Sequence, residues 1–322
     1  MRGSYRIIVQ NAKVRYDFEV RRNLTVIRGN SATGKTTLIE MIREYYEDGI
    51  SSGVELSCAK TCAVLSGRDW KPVLDTMRER IVFIDEGNSF VYTKEFARAV
   101  GQSDNYYVIV TREGLENLPY SVEEIYGIRE SGKYATLKQT YNELYHIYEK
   151  QNLPGKITPT KVIVEDSNAG FDFYKGISVG ANWSVVSANG KSNIFAEVVQ
   201  NINEEKILVI ADGAAFGPEM NRMAKIIQER ENIALYLPES FEWIILKSGV
   251  SGDREVREIL KAPQNYIDSG KYFSWERYFT ALLIEKTKDS YLKYTKKRLN
   301  PVYLQEGLKN RICGQMEGIE LL

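Results

Sequence analysis

Several residue types that mark particular protein classes are scarce in this chain of 322 residues. Three cysteines are too few for a disulfide framework, and a single histidine leaves no set of imidazole ligands for a metal. The formal net charge is zero, so binding to a nucleic acid would need a local basic patch. No apolar run approaches the roughly 18 to 20 residues that cross a bilayer. We therefore expect a cytoplasmic protein with no membrane partner.

The three cysteines are Cys58, Cys62 and Cys313. The spacing of Cys58 and Cys62 would suit half of a metal site. However, no second pair accompanies them, and His146 is the only histidine. We interpret all three cysteines as buried or loop thiols.

The composition that remains is that of an ordinary globular protein, with 43% hydrophobic and 27% charged residues. The length allows two domains, each with its own core. The segment EKQNLPGKITPTK, residues 149–161, contains two prolines and one glycine and interrupts the periodic pattern. It predicts a linker between a domain of residues 1–150 and a domain of residues 151–322.

Apolar segments alternate with helix-like segments in both halves. The chain starts with two alternating segments that predict antiparallel strands, YRIIVQ and KVRYDFEV. Buried strands are then expected at LTVIR, CAVL, IVFID, YYVIV and EIYGI, and in the second half at KVIVED, WSVVSA, KILVIAD and IALYLP. This order predicts an α/β fold with two doubly wound, mostly parallel sheets. Residues 251–322 are expected to be mainly helical.

The loop after LTVIR reads Gly29-Asn30-Ser31-Ala32-Thr33-Gly34-Lys35-Thr36, which fits the phosphate-binding pattern G-x-x-x-x-G-K-[ST]. The glycines let backbone N–H groups point at a phosphate, and the helix expected next, from about Lys35 to Tyr46, adds its positive N-terminal end. Lys35 would contact the β- and γ-phosphates, and the Thr36 hydroxyl would bind Mg²⁺. We expect residues 29–37, including Thr37, to bind ATP with Mg²⁺.

Two later strands end in polar residues that suit the same chemistry. RIVFIDEG ends in Asp85, which would hold Mg²⁺, and Glu86, which would polarise the attacking water. YYVIVTRE ends in Thr111 and Arg112. At that place they would sense the γ-phosphate, Arg112 acting within one chain or across a dimer. The alternative is that Arg112 lies in a loop, faces solvent and has no part in the site.

These residues resemble those of P-loop ATPases in which a catalytic glutamate follows the Walker B aspartate. The two leading strands are similar to those of the ATP-binding-cassette branch. The resemblance covers about 130 residues and implies ATP hydrolysis. The segment LSGRD, residues 65–69, is similar to the cassette signature LSGGQ, but Leu65 also continues an apolar strand. A simple strand-to-helix turn is the alternative.

The second half has acids at its strand ends: Glu165 after the first strand and Asp212 after the third, with Gly217 further on. This order resembles a Toprim domain, the metal-dependent fold of topoisomerases, primases and the OLD family of ATPase–nucleases. The resemblance implies a second Mg²⁺ site at Glu165 and Asp212. Ala214 stands where the family has a second aspartate. Asp166 and Glu239 are therefore further candidates for ligands.

The combined order, an ATPase followed by a Toprim-like domain, resembles that of OLD-family and related anti-phage defence ATPases. We expect Mg²⁺-dependent ATP hydrolysis coupled to nucleic-acid handling or defence. A nucleotide-gated binding protein with a non-catalytic second domain and a small-molecule kinase remain alternatives. Besides ATP, a nucleic acid, a protein partner and a second copy of the chain are open as partners. The basic segment KTKDSYLKYTKKR, residues 286–298, is expected on a helix.

Overall fold

The structure, a computed structural model, describes residues 1–29, 34–131, 139–148 and 156–322. The chain forms two compact units, Met1–Glu149 with Ala262–Ser274, and Lys150–Lys261 with Trp275–Leu322. The predicted boundary at residues 150 and 151 stays a prediction, and Ala262–Ser274 groups with the first unit. No helix within the described ranges is long and apolar enough to span a membrane.

The first unit contains one large mixed sheet. Among the described residues nine strands form it, in the order β4-β1-β2-β9-β8-β3-β7-β6-β5. Their bounds are β1 Tyr5–Gln10, β2 Val14–Val20, β3 Leu24–Ile27, β4 Glu55–Ser57, β5 Cys62–Val64, β6 Ile81–Ile84, β7 Tyr106–Val110, β8 Ile125–Glu130 and β9 Thr140–His146. The strands from β8 to β5 are parallel, whereas β1 pairs antiparallel with β2 and β4, and β8 with β9.

Burial explains the two kinds of strand. In β1 and β2 only alternate residues are buried, such as Ile7, Val9, Tyr16 and Phe18, which fits one covered face. In β3, β6 and β7 every residue is buried, as expected for parallel strands covered on both faces. The helices of this unit are α1 Lys35–Asp48, α2 Trp70–Thr76 and α3 Lys94–Gly101.

Helix α1 supplies one side of the core. Its buried residues Leu38, Ile39, Met41 and Ile42 follow helical spacing and pack in one cluster with residues of β1, β2, β6 and β7. Helix α3 begins at a capping residue, because the Thr93 side chain accepts a hydrogen bond from Phe96 N. The predicted helix at Lys35 is confirmed, and it runs two residues beyond Tyr46.

The second unit is built on a smaller parallel sheet. Four strands in the described part of this unit have the order β11-β10-β12-β13. They are β10 Lys161–Val164, β11 Ser184–Ser187, β12 Ile207–Ile210 and β13 Ile233–Tyr236. The helices are α4 Ala169–Ile177, α5 Ile194–Gln200, α6 Met220–Glu229, α7 Phe241–Lys247, α8 Arg254–Lys261, α9 Trp275–Thr287 and α10 Glu306–Cys313. The predicted α/β class is thereby confirmed.

Two expectations about local structure need correction. Residues 286–298 do not form a helix: α9 ends at Thr287, and turns and irregular chain follow. The Thr287 hydroxyl donates to Leu283 O and accepts from Tyr294 N, so it stabilises the change of direction. The strand β9, which pairs with both β2 and β8, was not expected from the sequence. The first residues of the predicted linker, 149–155, lie outside the described residues.

Close packing at Gly213 gives the first prediction. A methyl group there would stand 2.6 Å from Leu237 O and 2.9 Å from Pro238 O, both backbone atoms that cannot rotate away. We expect Gly213→Ala to lower the free energy of unfolding by about 1–3 kcal/mol, measured by urea denaturation. Gly307→Ala, in helix α10 with nothing within 4 Å, is the matched control and should be neutral or stabilising. Equal stability of the two variants would contradict the close contact.

Candidate functional site

Three neighbouring parallel strands bring the predicted nucleotide residues to one edge of the large sheet. Strand β7 lies between β3 and β6, with Ile27 opposite Val110 and Ile84 opposite Ile109. The segments that follow these strands therefore begin at the same level. They carry Gly29 after β3, Asp85 and Glu86 after β6, and Thr111 and Arg112 after β7.

The glycines of the loop adopt conformations that other residues avoid. Gly29 and Gly34 have φ values of 140° and 87°. A Cβ atom on Gly34 would also stand 2.7 Å from the Tyr16 hydroxyl oxygen. That hydroxyl donates to Gly34 O at 2.7 Å. Burial raises the pKa of Tyr16, and the neighbouring side chains of Asn142 and Thr37 offset this in part. Residues Asn30, Ser31, Ala32 and Thr33 lie outside the described residues.

Lys35 is buried at the start of α1, with 5% of its surface exposed. Its ammonium group donates to Gly29 O at 2.9 Å. This hydrogen bond links the residue before the loop's central part to the first residue of α1. Burial lowers the pKa of Lys35, and the nearby carboxylates of Glu86 and Asp85 offset this only in part. The next residues, Thr36 and Thr37, are exposed in the first turn of the helix.

Glu86 is held by Arg112 in a two-point ion pair. Arg112 Nε donates to one carboxylate oxygen at 3.1 Å, and Nη2 donates to the other at 2.9 Å. The hydrogen bonds from Arg112 lower the pKa of Glu86, so the carboxylate is ionised. Both side chains are partly exposed, and the pair is therefore weak enough to exchange partners. The carboxylate of Asp85 accepts from Glu86 N at 2.8 Å.

Thr111 and the LSGRD segment complete this edge. Thr111 is buried, and its hydroxyl shares a hydrogen bond of 2.9 Å with the Tyr92 hydroxyl. Leu65 is also buried and donates its N–H to Phe83 O, so it continues the pairing of β5 with β6. The segment thus forms the connection from β5 to α2. Gly67 N donates to the side chain of Asn88, whose amide in turn donates to Asp85 O.

In the second unit, Glu165 and Asp212 meet where the strand order reverses. They follow β10 and β12, which are adjacent although β11 lies between them in the chain. Ligands of open α/β sheets bind in this crevice. Asp212 N donates to Glu165 Oε2 at 3.0 Å, while Asp212 Oδ1 accepts from Phe241 N at 3.2 Å. Burial raises the pKa of Glu165 to about 7 and that of Asp212 above its ordinary range.

A lysine lies among the carboxylates of this crevice. Lys296 Nζ is 3.0 Å from Glu242 Oε1, and 3.9 Å from both Asp212 Oδ2 and Glu276 Oε1. Burial alone would lower the pKa of Lys296, but the three carboxylates raise it above its ordinary value. Glu242 is fully buried, and its Oε1 also accepts from the Tyr294 hydroxyl at 2.8 Å. The structure gives its second oxygen, Oε2, no hydrogen-bond partner.

The other candidates of the second unit have different roles. The Asp166 carboxylate accepts from Asn168 N, Asn168 Nδ2 and Gly170 N, so it shapes the start of α4. Ala214 is buried, and its N–H donates to Glu239 O at 3.4 Å. Gly217 lies in the short 3₁₀ helix before α6. No group of three or more acidic, histidine or cysteine side chains within the described ranges is arranged to hold a metal ion.

Sequence reasoning missed several residues of these two edges. Tyr16 was read only as part of an alternating strand, and its contact with Gly34 depends on long-range packing. Glu242, Glu276 and Lys296 come from α7, α9 and the irregular segment after α9, which have no common sequence pattern. Lys191, in the short 3₁₀ helix after β11, donates to Ala215 O at 2.8 Å, and its sequence gives no signal for this contact.

The lysine among the carboxylates gives a prediction about stability. We expect Lys296→Met to lower the free energy of unfolding by about 3–5 kcal/mol, because it leaves buried carboxylates without their counter-charge. Urea denaturation of the full chain measures the change. Lys297→Met, at the exposed neighbouring position, is the matched control and should change stability by less than about 0.5 kcal/mol. Similar losses in the two variants would show that Lys296 is not needed for charge balance.

Comparison with known proteins assigns no family to the chain. No protein-family model matches it, and no curated protein matches its sequence. A functional conclusion therefore rests on the residues at the two sheet edges.

Proposed function

We propose that the first unit binds ATP with Mg²⁺ and hydrolyses it. One observation carries the proposal: Lys35, the Asp85–Glu86 pair and Arg112 follow three adjacent parallel strands and converge on one edge of the sheet. Lys35 and Arg112 would balance phosphate charge, and Asp85 and Glu86 supply the carboxylates that such a reaction needs. A kinase is less well supported, because Glu86 directly beside Asp85 favours water as the attacking group.

The residues present fit a triphosphate with its metal. Lys35 is a buried cation whose pKa is lowered by desolvation, so an anion bound beside it would relieve an unfavourable burial. The loop ends at the N-terminus of α1, and the backbone N–H groups of a helix N-terminus favour phosphate. Thr36 and Asp85 would hold Mg²⁺, which offsets the negative charge of the phosphate oxygens when bound.

Glu86 is the residue that would orient the attacking water and accept its proton. Its carboxylate is ionised, as a base must be, but it is engaged by Arg112. Each oxygen of the Glu86 carboxylate has a second lone pair that can accept from water, but the ion pair with Arg112 makes the carboxylate a weaker base. The γ-phosphate is a competing anion for Arg112, and its arrival would free Glu86 where it is needed.

We expect Glu86→Gln to bind ATP with little change and to hydrolyse it roughly 10²–10⁴ times more slowly, because the amide cannot accept the proton. Binding is measured with a fluorescent ATP analogue and hydrolysis by phosphate release. Lys35→Ala is the matched control, in which binding itself should be lost. Turnover that persists in Glu86→Gln would assign catalysis to another residue, and unchanged binding in Lys35→Ala would remove the nucleotide site.

For the second unit we propose a Toprim-like module that recruits a nucleic acid or a protein partner and does not cleave. The specific observation in favour is Lys296, whose ammonium group already pairs with Glu242 and lies near Asp212 and Glu276. A second Mg²⁺ held by Glu165 and Asp212 would have to compete with this charge. Coupled to the ATPase, such a module suits nucleic-acid handling or a defence system. Its partner would then bind in a nucleotide-dependent way.

A plasmid-nicking assay distinguishes a recruiting module from a nuclease. With Mg²⁺ or Mn²⁺, and with and without ATP, we expect the full chain to leave supercoiled DNA intact. Glu165→Gln and Asp212→Asn serve as matched variants. Metal-dependent nicking by the natural sequence that is lost in both variants would instead establish a working nuclease at this edge.

A further inference from the structure

The loop between β4 and β5 joins the two outermost strands of the large sheet. In the strand order β4 is at one end and β5 at the other, yet only residues 58–61 separate them in the chain. Nine flat strands about 4.8 Å apart would span roughly 38 Å. Ser57 and Cys62 are five residues apart and can be separated by at most about 18 Å. The sheet is therefore strongly curved, so that its edges approach each other at this loop.

Both ends of this connection carry a thiol. Cys58 follows β4 directly, and Cys62 is the first residue of β5. The two side chains are close enough for each to shift the pKa of the other. Both thiols also contact the backbone of Lys60, which is midway between them in the chain. Lys60 N donates to Cys58 Sγ at 3.5 Å, and Cys62 Sγ donates to Lys60 O at 3.9 Å. Both sulfur atoms therefore lie beside the backbone of Lys60.

The two thiols differ in exposure and in pKa, and so we expect them to react differently. Cys58 is partly exposed, and its interaction with the Cys62 side chain lowers its pKa to about 7. Cys62 is buried, and its interaction with Cys58 together with burial raises its pKa above the ordinary range. Nearby charged and titratable groups are the Tyr5 hydroxyl and the ion pair of Lys60 with Glu79 at 2.8 Å. An accessible thiolate beside a protonated thiol is the arrangement of an oxidisable pair.

We propose that Cys58 and Cys62 form a reversible disulfide within one chain when a hydroperoxide reaches the protein. The Cys58 thiolate attacks one peroxide oxygen, the O–O bond breaks, and the released hydroxide takes up a proton to become water. The Cys62 sulfur then attacks the sulfenic acid sulfur of Cys58, and the S–O bond breaks. The departing hydroxide takes the proton of the Cys62 thiol. The two thiols lose two electrons in total, and hydrogen peroxide is reduced to two water molecules.

The disulfide ties the two edge strands together beside helix α1. Cys62 lies in the same buried cluster as Leu38, Ile39 and Ile42, and Cys58 packs against that cluster. The bond would therefore restrain the layer that supports the helix following the phosphate loop. Disulfides formed in a reducing compartment are usually transient and sense redox conditions. The inference stands on these residues alone and does not depend on ATP hydrolysis.

Trypsin offers a direct test, because it cleaves after Lys60, between the two cysteines. The full chain is reduced, treated with stoichiometric hydrogen peroxide, alkylated in urea and digested without reductant. We expect Glu44–Lys60 to be recovered joined to Thr61–Arg68, and to separate after dithiothreitol. Cys313→Ser is the matched control and should give the same joined peptide. Separate peptides after oxidation, with Cys58 unmodified or converted to sulfinic acid, would overturn the proposal.

Alkylation kinetics give a second readout that does not need the disulfide to form. In the Cys313→Ser background, the rate at which iodoacetamide modifies Cys58 should rise with a midpoint near pH 7. Cys62→Ala should reduce the rate at pH 7 roughly tenfold, because Cys58 then regains an ordinary thiol pKa. Where Cys62→Ala does not fold, Cys58→Ser takes its place, and no joined peptide should form in that variant. An unchanged rate in folded Cys62→Ala would also overturn the proposal.

Discussion

Parallel pairing is the constraint on which both functional edges depend. Strands that run in the same direction bring the segments that follow them to one edge, however far apart they are in the chain. Lys35 and Arg112 are 77 positions apart by their residue numbers, yet the strands that precede them are direct neighbours. The same geometry joins Glu165 to Asp212 through β10 and β12. Backbone pairing therefore brings these residues together, and their chemistry follows from the side chains that each segment carries.

The strands and the phosphate-loop helix could be read from the sequence because their signals are local. LTVI, IVFI and YYVIV are continuous apolar runs, and the structure buries every residue in them. The alternation in YRIIVQ and VRYDFEV likewise matches one buried face each. The site residues Asp85, Glu86, Thr111 and Arg112 were predicted because each comes directly after the end of one of these strands. What they bind stays a prediction, since it depends on a ligand.

The parts of the fold that the sequence did not predict depend on tertiary contacts. Strand β9 reads TYNELYH, in which most residues are only partly buried, so it has neither a clear apolar run nor a clean alternation. Its place is fixed by pairing with β2 and β8. The segment KTKDSYLKYTKKR interleaves basic residues with two tyrosines, and we expected it on a helix. It leaves the helical path because Tyr294 is buried against Glu242, a contact that no local propensity indicates.

Lys35 and Lys296 show how the sign of a pKa shift distinguishes two kinds of site. For Lys35, burial outweighs the nearby carboxylates and the pKa falls, so the folded chain keeps this ammonium at a cost that a bound anion would reduce. For Lys296, the carboxylates outweigh burial and the pKa rises. The charge of Lys296 is already balanced by side chains of the chain. An anion bound beside it would add negative charge to a crevice that already contains three carboxylates. A metal cation would instead have to displace the ammonium group. This difference supports the proposal that phosphate binds at the edge of the first unit, whereas in the crevice of the second unit a lysine of the chain already supplies the positive charge.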